Sequence, residues 1–318
     1  MMNDYVPFQT PNLVWDSTIA IYLFLLGISA GSTLLAVLYK RKENLADPSQ
    51  SWMIRTMAIM SPLATIIGLT LLIFHLARPW TFWYLMFNYQ FDSVMSMGVM
   101  LFQVFMAVLV VWLAIIFKNW LSGFGFIPKF AFGLIDIAAK FTSLIEILLI
   151  LLSLALGAYT GFLLSELISY PMLNNPVLPV LFLASGTSSG IVALLVVILV
   201  VGKVATDSHE VHFLHKFEKP VALIEMLLLA GFFAYLYAKG GQSAVAADNA
   251  LAFSGYWGKM FWVGVVAIGL VIPMLLNIVS PANVKHQKGF ILFLAVLGLI
   301  GVLCLRYFVL YAGQMTIA

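Results

Sequence analysis

The chain has 318 residues, 63% of them hydrophobic and 9% charged, with a net charge of +3; soluble domains are about half apolar and about a quarter charged, so this composition excludes one and places the chain in a bilayer. A single cysteine, Cys304, excludes a disulfide framework and any iron–sulfur cluster or structural zinc held by this chain alone. The first fifteen residues carry Asp4 and no lysine or arginine, which argues against a cleavable signal peptide with its basic leading region.

Apolar runs long enough to cross a hydrocarbon core, about twenty residues each, fall near 16–39, 56–77, 93–117, 141–165, 178–202, 220–238, 258–279 and 289–312. None shows the roughly ten-residue alternation of barrel strands. The expectation is an all-α integral membrane protein of eight transmembrane helices. The first run begins at Asp16 and contains Gly27 and Gly31 in "LFLLGISAGSTLLAVL". The second ends in "FHLARPWTFWYLMF", which sets His75 and Arg78 at its edge with Trp80, Phe82, Trp83 and Tyr84 behind them, and Asp92 precedes the third. Between the third and fourth runs, "NWLSGFGFIPKFAFGLIDIAAK" is broken by Gly123, Gly125 and Pro128, a pattern expected to lie along the membrane interface.

The fourth run carries Glu146 near one end and Tyr159 some six residues, roughly 9 Å, from the other. The fifth, "LFLASGTSSGIVALLVV", echoes the first, with Gly186 matching Gly27 and Gly190 matching Gly31. That echo implies two four-helix bundles, residues 1–166 and 167–318, with the small residues allowing close helix approach. The sixth run carries Glu225 after "SHEVHFLHKFE", which reads as a solvated polar connection rather than a metal site; the eighth carries Arg306.

Lysine and arginine orient the spans. The odd-to-even connections hold Lys40, Arg41, Lys42, Arg55, Lys118, Lys129, Lys140, Lys203, Lys216, Lys219, Lys285 and Lys288, against Arg78, Lys239 and Lys259 on the other side. The positive-inside rule then puts both termini outside. Ionisable groups within lipid are costly and point to function, and here they sort by depth. Asp16, His75, Arg78, Asp92, Tyr159 and Arg306 gather toward the outside; Glu146 and Glu225 lie one to two turns from the basic side, as a possible proton route or a helix–helix hydrogen bond. Paired intramembrane histidines for a diheme cytochrome are missing from the sequence, as is a phosphate-cradling loop.

The blocks "LVWDSTIAIYLFLLGISAG", "FHLARPWTFWYLMFNYQFDSVMSMGVMLFQ", "LGAYTGFLLSELISYPMLNNPVLPVLFLASGTSSG", "HKFEKPV" and "LRYFVLYAGQM" resemble the NrfD/PsrC family of polysulfide-reductase-type membrane subunits over nearly the whole sequence. The resemblance implies eight helices in two four-helix bundles, no haem or iron–sulfur cluster in this chain, and a quinone site toward the outer (periplasmic) face. It implies a periplasmic ferredoxin-like iron–sulfur subunit of the NrfC type as partner, followed by cytochrome c nitrite reductase components, in the bacterial inner membrane. Carried over by position, it makes Tyr159 a hydrogen-bond partner of the quinone head group. His75, Arg78 and Asp16 fall around the same pocket or its proton exit, and Trp15 and Ser185 on its walls. Ala77 stands where many members have glycine.

The chemistry fits quinol oxidation, with menaquinol as the expected quinol. A quinol that loses two electrons also releases two protons, so its site needs partners for both ring oxygens and a group that titrates near neutrality; histidine, with a reference value of about 6.5, is the natural acceptor. Arg78 would favour charge developing on the quinol oxygen. Two other classes fit less of the pattern: a non-catalytic anchor for a periplasmic redox complex, and a secondary transporter, for which broken midplane helices are the missing sign.

Overall fold

The computed structural model describes residue 8 and residues 13–45, 47–76, 78–123 and 128–317; Ala77 and part of the glycine-broken 3–4 segment lie outside them. The described residues contain no β-strand and eight helices long and apolar enough to cross a membrane: α1 (Ser17–Glu43), α2 (Trp52–His75), α3 (Val94–Ile116), α4 (Thr142–Ser165), α5 (Leu178–Val200), α6 (His209–Lys239), α7 (Tyr256–Val279) and α8 (Lys288–Gly313). All eight expected spans are present. The interfacial segment contains a further helix, Lys129–Ala139, with Phe130, Leu134 and Ile137 exposed.

Two spans differ from expectation. α6 starts eleven residues early, because Ser208 caps its first turn by accepting from the Val211 amide and because Val211, Phe213 and Leu214 are buried. The polar "HEVHFLHKFE" stretch is therefore helix, and Glu225 lies near the middle of α6 instead of near its basic end. α7 is π-helical over Met260–Val271 and α-helical from Ile272. A π turn pairs each carbonyl with the amide five residues on; the stretch ends two residues before Pro273, which has no amide to give.

The most buried span is α1, packed against α2, α4, α5 and α8. Without a hydrophobic drive inside lipid, such contacts need close packing or polar linkage, and α1 has both. Toward α2, Ser29 and Thr33 bond Ser61 at 2.8 and 2.7 Å, and Ser29 bonds Thr65 at 2.7 Å. Toward α5, the echoed glycines meet each other: a Cβ on Gly27 would fall 3.2 Å from the Gly186 Cα, and one on Gly31 or Gly190 would run into facing backbone. The repeated motif is thus a contact surface. Partner for partner, α5 packs on α6 and α8 as α1 does on α2 and α4, while α7 rests on α8 as α3 does on α4.

Gln314 joins the two ends of the protein. Its Oε1 accepts from the Val14 and Trp15 amides at 2.9 and 3.0 Å, and its Nε2 donates to the Trp15 and Leu310 carbonyls, both at 2.9 Å. This clasp holds the start of α1 beside the end of α8. The lysine-rich connections all fall at the opposite end of the helices.

Candidate functional site

Asp16 caps α1, accepting the Thr18 amide at 2.9 Å. Its same oxygen lies 3.6 Å from Nδ1 of His75, the last residue of α2. Capping fixes the carboxylate at the helix N-terminus, where the helix dipole favours negative charge. An imidazole that gains a proton there has a carboxylate facing it. Beyond Asp16, Tyr311 stacks on Trp257 at 4.9 Å and on Tyr307 at 6.0 Å, and packs edge-on against Phe8. The acid–imidazole pair therefore sits between the end of α2 and an aromatic layer on α7 and α8.

A cavity of about 240 Å³ opens between α2 and α3, lined near the end of α2 by Leu72, Ile73 and Leu76, which flank His75 in sequence, by Met95 and Phe102 of α3, and by Phe82 and Met86 of the connection between them. The 79–93 connection is fastened to α3: Tyr89 and Gln103 bond each other and share the Met86 carbonyl, and the Gln90 amide donates to Ser96 at 2.8 Å. Gln103 is the one polar side chain in this lining. The rest of the lining is apolar, as the walls of small-molecule sites mostly are.

Tyr159 lies behind the cavity. Phe102, a wall residue, packs edge-on against its ring at 5.4 Å, and the Tyr159 hydroxyl presses on Gly98 of α3, where a Cβ would overlap it. Phe102 also packs on Tyr22 of α1 at 6.4 Å. The Tyr22 hydroxyl is fully buried, with no hydrogen-bond partner among the described residues. A buried hydroxyl without a partner costs about 1–3 kcal/mol, and Tyr22 is, with Tyr159, one of two buried tyrosines packed on Phe102. Sequence reasoning missed it because a tyrosine inside a long apolar run reads as packing.

The structure brings Asp16 and His75 together and sets Tyr159 behind Phe102, a residue of the cavity wall; none of Asp16, His75 and Tyr159 is itself in the lining. Other expected site residues stand apart. Arg78 and Asp92 are exposed, and no ion pair joins them among the described residues. Trp15 is half-buried and held through its backbone by Gln314. Ser185 is buried on α5 and donates to the Phe182 carbonyl at 3.3 Å; neither Trp15 nor Ser185 lines the cavity.

Glu146 and Glu225 have different surroundings. Glu146 is bonded by Lys40, by Arg41 Nη1 at 3.3 Å and by Trp112 Nε1 at 3.3 Å. Two cations and an indole N–H meet the needs of a buried carboxylate, and they tie α1, α3 and α4 together at the lysine-rich end. Glu225 is buried on α6, with Ser188 of α5 and Arg306 of α8 as the groups that act on it, and its Oε2 has no partner among the described residues.

A family model described as "Polysulphide reductase, NrfD" matches residues 5–318. The sequence is 58% identical over 323 residues to the Protein NrfD homolog of Haemophilus influenzae, covering 100% of both proteins. It is 48% identical over 321 residues to Protein NrfD of Escherichia coli, with 98% of each covered. The C subunit of the polysulfide reductase of Wolinella succinogenes is 41% identical over 310 residues, with 96% of each covered.

Proposed function

Since this chain belongs to the polysulphide reductase NrfD family and is a multi-pass protein of the bacterial inner membrane, we propose that it is a quinol dehydrogenase subunit. It oxidises menaquinol near the periplasmic face and passes the electrons to an iron–sulfur partner. The observation that supports this reading is the Asp16–His75 pair at the end of α2, the helix whose Leu72, Ile73 and Leu76 line the apolar cavity whose wall residue Phe102 packs on Tyr159.

In this reading the isoprenoid tail enters between α2 and α3 while the head group turns toward His75 and Tyr159. His75 takes a quinol proton and the facing Asp16 carboxylate stabilises the resulting imidazolium; Tyr159 orients the ring by hydrogen bonding. Arg78, exposed at the rim, favours negative charge developing on the quinol oxygen. Protons released here leave on the periplasmic side, since the positive-inside rule assigns the lysine-rich end to the cytoplasm. The repeated packing of α1–α4 and α5–α8 supports two four-helix bundles, the first of which holds the site.

Electrons leave through a partner docked over the aromatic connection, where Trp80, Trp83, Phe87 and Phe91 are exposed. Rings of this kind are enriched at protein interfaces. The partner in this reading is a ferredoxin-like iron–sulfur subunit of the NrfC type. The higher identity to the two NrfD proteins than to the polysulfide reductase subunit favours cytochrome c nitrite reductase, and so periplasmic nitrite, as the destination.

Photolabelling with an azido-quinone tests the placement. Adducts should map to the α2–α3 cavity, at residues such as Leu72, Met95 or Phe102, and should be displaced by excess menaquinone. Displaceable adducts confined to α6 and α7 would place the quinone elsewhere and overturn the assignment.

A further inference from the structure

A second cavity between α2 and α3, of about 870 Å³, lies at the lysine-rich end of the two helices. Ligand sites measure about 300–1,000 Å³, so the space is large enough to hold a molecule. Ile59 on its α2 wall and Val110 on its α3 wall are 65% and 55% exposed, which makes it a cleft open sideways to the bilayer. Its lining changes character along the helices. Away from the helix ends it is apolar, with Ile59 facing the side of α3 that carries Val110, Leu113 and Ala114. At the mouth it is polar, formed by Asp47, Ser49 and Gln50 of the connection before α2 and by Arg55. Trp52 and Trp120 flank the mouth, as tryptophans do where a membrane meets water.

Asp47 and Arg55 are the two charged residues of this lining. Arg55 starts one turn inside α2 and reaches back to the mouth. Its Nε donates to the Ser49 carbonyl at 2.6 Å and its Nη2 to Gln50 Oε1 at 2.7 Å, and the guanidinium lies 5.6 Å over the Trp52 ring. Nη1 has no hydrogen-bond partner among the described residues. A planar cation fixed in this way is suited to a phosphate. Asp47 is fixed as well: it accepts from the Ser49 amide at 3.0 Å, the Ser49 hydroxyl at 2.6 Å and Gln50 Nε2 at 3.3 Å. The two charges act on each other electrostatically, with no ion-pair contact between them among the described residues. Neighbouring cations have partners elsewhere: Lys40 and Arg41 on Glu146, Lys42 beside Glu43, and Lys118 on Asp136. The mouth therefore offers one cation and one anion, each held by the same short loop.

We propose that this cleft binds an aminophospholipid of the phosphatidylethanolamine type, with its phosphate on Arg55, its ammonium on Asp47 and an acyl chain along the apolar wall between α2 and α3. A zwitterionic head group meets both charges. An anionic head group without an amine leaves Asp47 facing a like charge, and a neutral quinone meets neither group. The occupant is a lipid rather than a soluble phosphate ester because the cleft opens to the bilayer and most of its depth is apolar. The inference is independent of the quinol reading, whose cavity lies at the other end of the same two helices.

Native mass spectrometry tests it on the full-length protein, delipidated in mild detergent and titrated with dioleoyl phosphatidylethanolamine or dioleoyl phosphatidylglycerol. The first phosphatidylethanolamine should bind about tenfold more tightly than the first phosphatidylglycerol. Arg55→Gln should weaken phosphatidylethanolamine binding by about tenfold. Asp47→Asn, which keeps an oxygen for the Ser49 amide, should abolish the preference between the two lipids while both still bind. Ala114→Phe, which fills the apolar part of the cleft, should weaken both, and Lys285→Gln, at the same end of the second half, should change neither. Soluble phosphoethanolamine should not displace the lipid. Equal affinity for the two lipids in wild type, a preference kept in folded Asp47→Asn, undiminished binding in folded Arg55→Gln or Ala114→Phe, or displacement by phosphoethanolamine would overturn the site. No quinol enters the experiment, so failure of the quinol reading leaves its result standing.

Discussion

Gly31→Leu should prevent the two halves of the protein from assembling. A Cβ at position 31 would enter the Gly186 carbonyl and crowd Thr187 Cα, and the matching atom at position 190 would enter the backbone of Gly31 and Ser32. Both obstacles are backbone, so no side chain can rotate away, and interiors this closely packed respond by separating the helices. Because α1 and α5 also carry the packing of α2, α4, α6 and α8, the loss should exceed about 4 kcal/mol, the range that marks a disrupted core. Gly231→Leu is the control, since nothing lies within 4 Å of a Cβ there. Denaturation in mild detergent should show the first variant unfolded or aggregated and the second near wild type. A folded Gly31→Leu protein would mean that α1 and α5 do not cross at these glycines.

His75→Ala should reduce quinol-dependent electron transfer by about 10²- to 10⁴-fold, the usual contribution of a positioned acid–base group. The fold should survive, because His75 is the last residue of α2 and half-exposed. Asp16→Asn should have a smaller effect, about 10- to 100-fold, of the kind seen when a group that orients another is altered. It retains an N-cap oxygen for the Thr18 amide while removing the charge that faces the imidazole. Turnover by the assembled complex with menaquinol as donor measures both. Wild-type rates in His75→Ala would leave the protein as an anchor, or place the proton acceptor elsewhere.

The helices were legible because twenty apolar residues in a row have few other fates, and their ends were legible only where polarity and helix boundary coincide. At α6 they do not coincide: His209 to Lys219 is polar yet helical, so Glu225 reads as shallow in the sequence and is deep in the structure. The π register of α7 runs over twelve residues, which no periodicity of apolar residues reveals. Asp16 and His75 could be assigned to one end of the molecule from charge counting, but their contact depends on how α1 crosses α2. For Glu146 the depth was legible and the role was not; its partners Lys40 and Arg41 read as loop cations and are the last turns of α1. Arg306, one polar residue in an apolar run, gains meaning only from Glu225, which lies two spans earlier in the sequence.

The proposed function depends on a quinol binding beside His75 and Tyr159. Titration of the purified protein with a fluorescent quinol-analogue inhibitor tests it most directly, with wild type beside Tyr159→Phe and His75→Ala. Saturable binding to wild type, weakened at least tenfold by each substitution, is the expected result. Equal affinity in all three folded proteins would contradict the site.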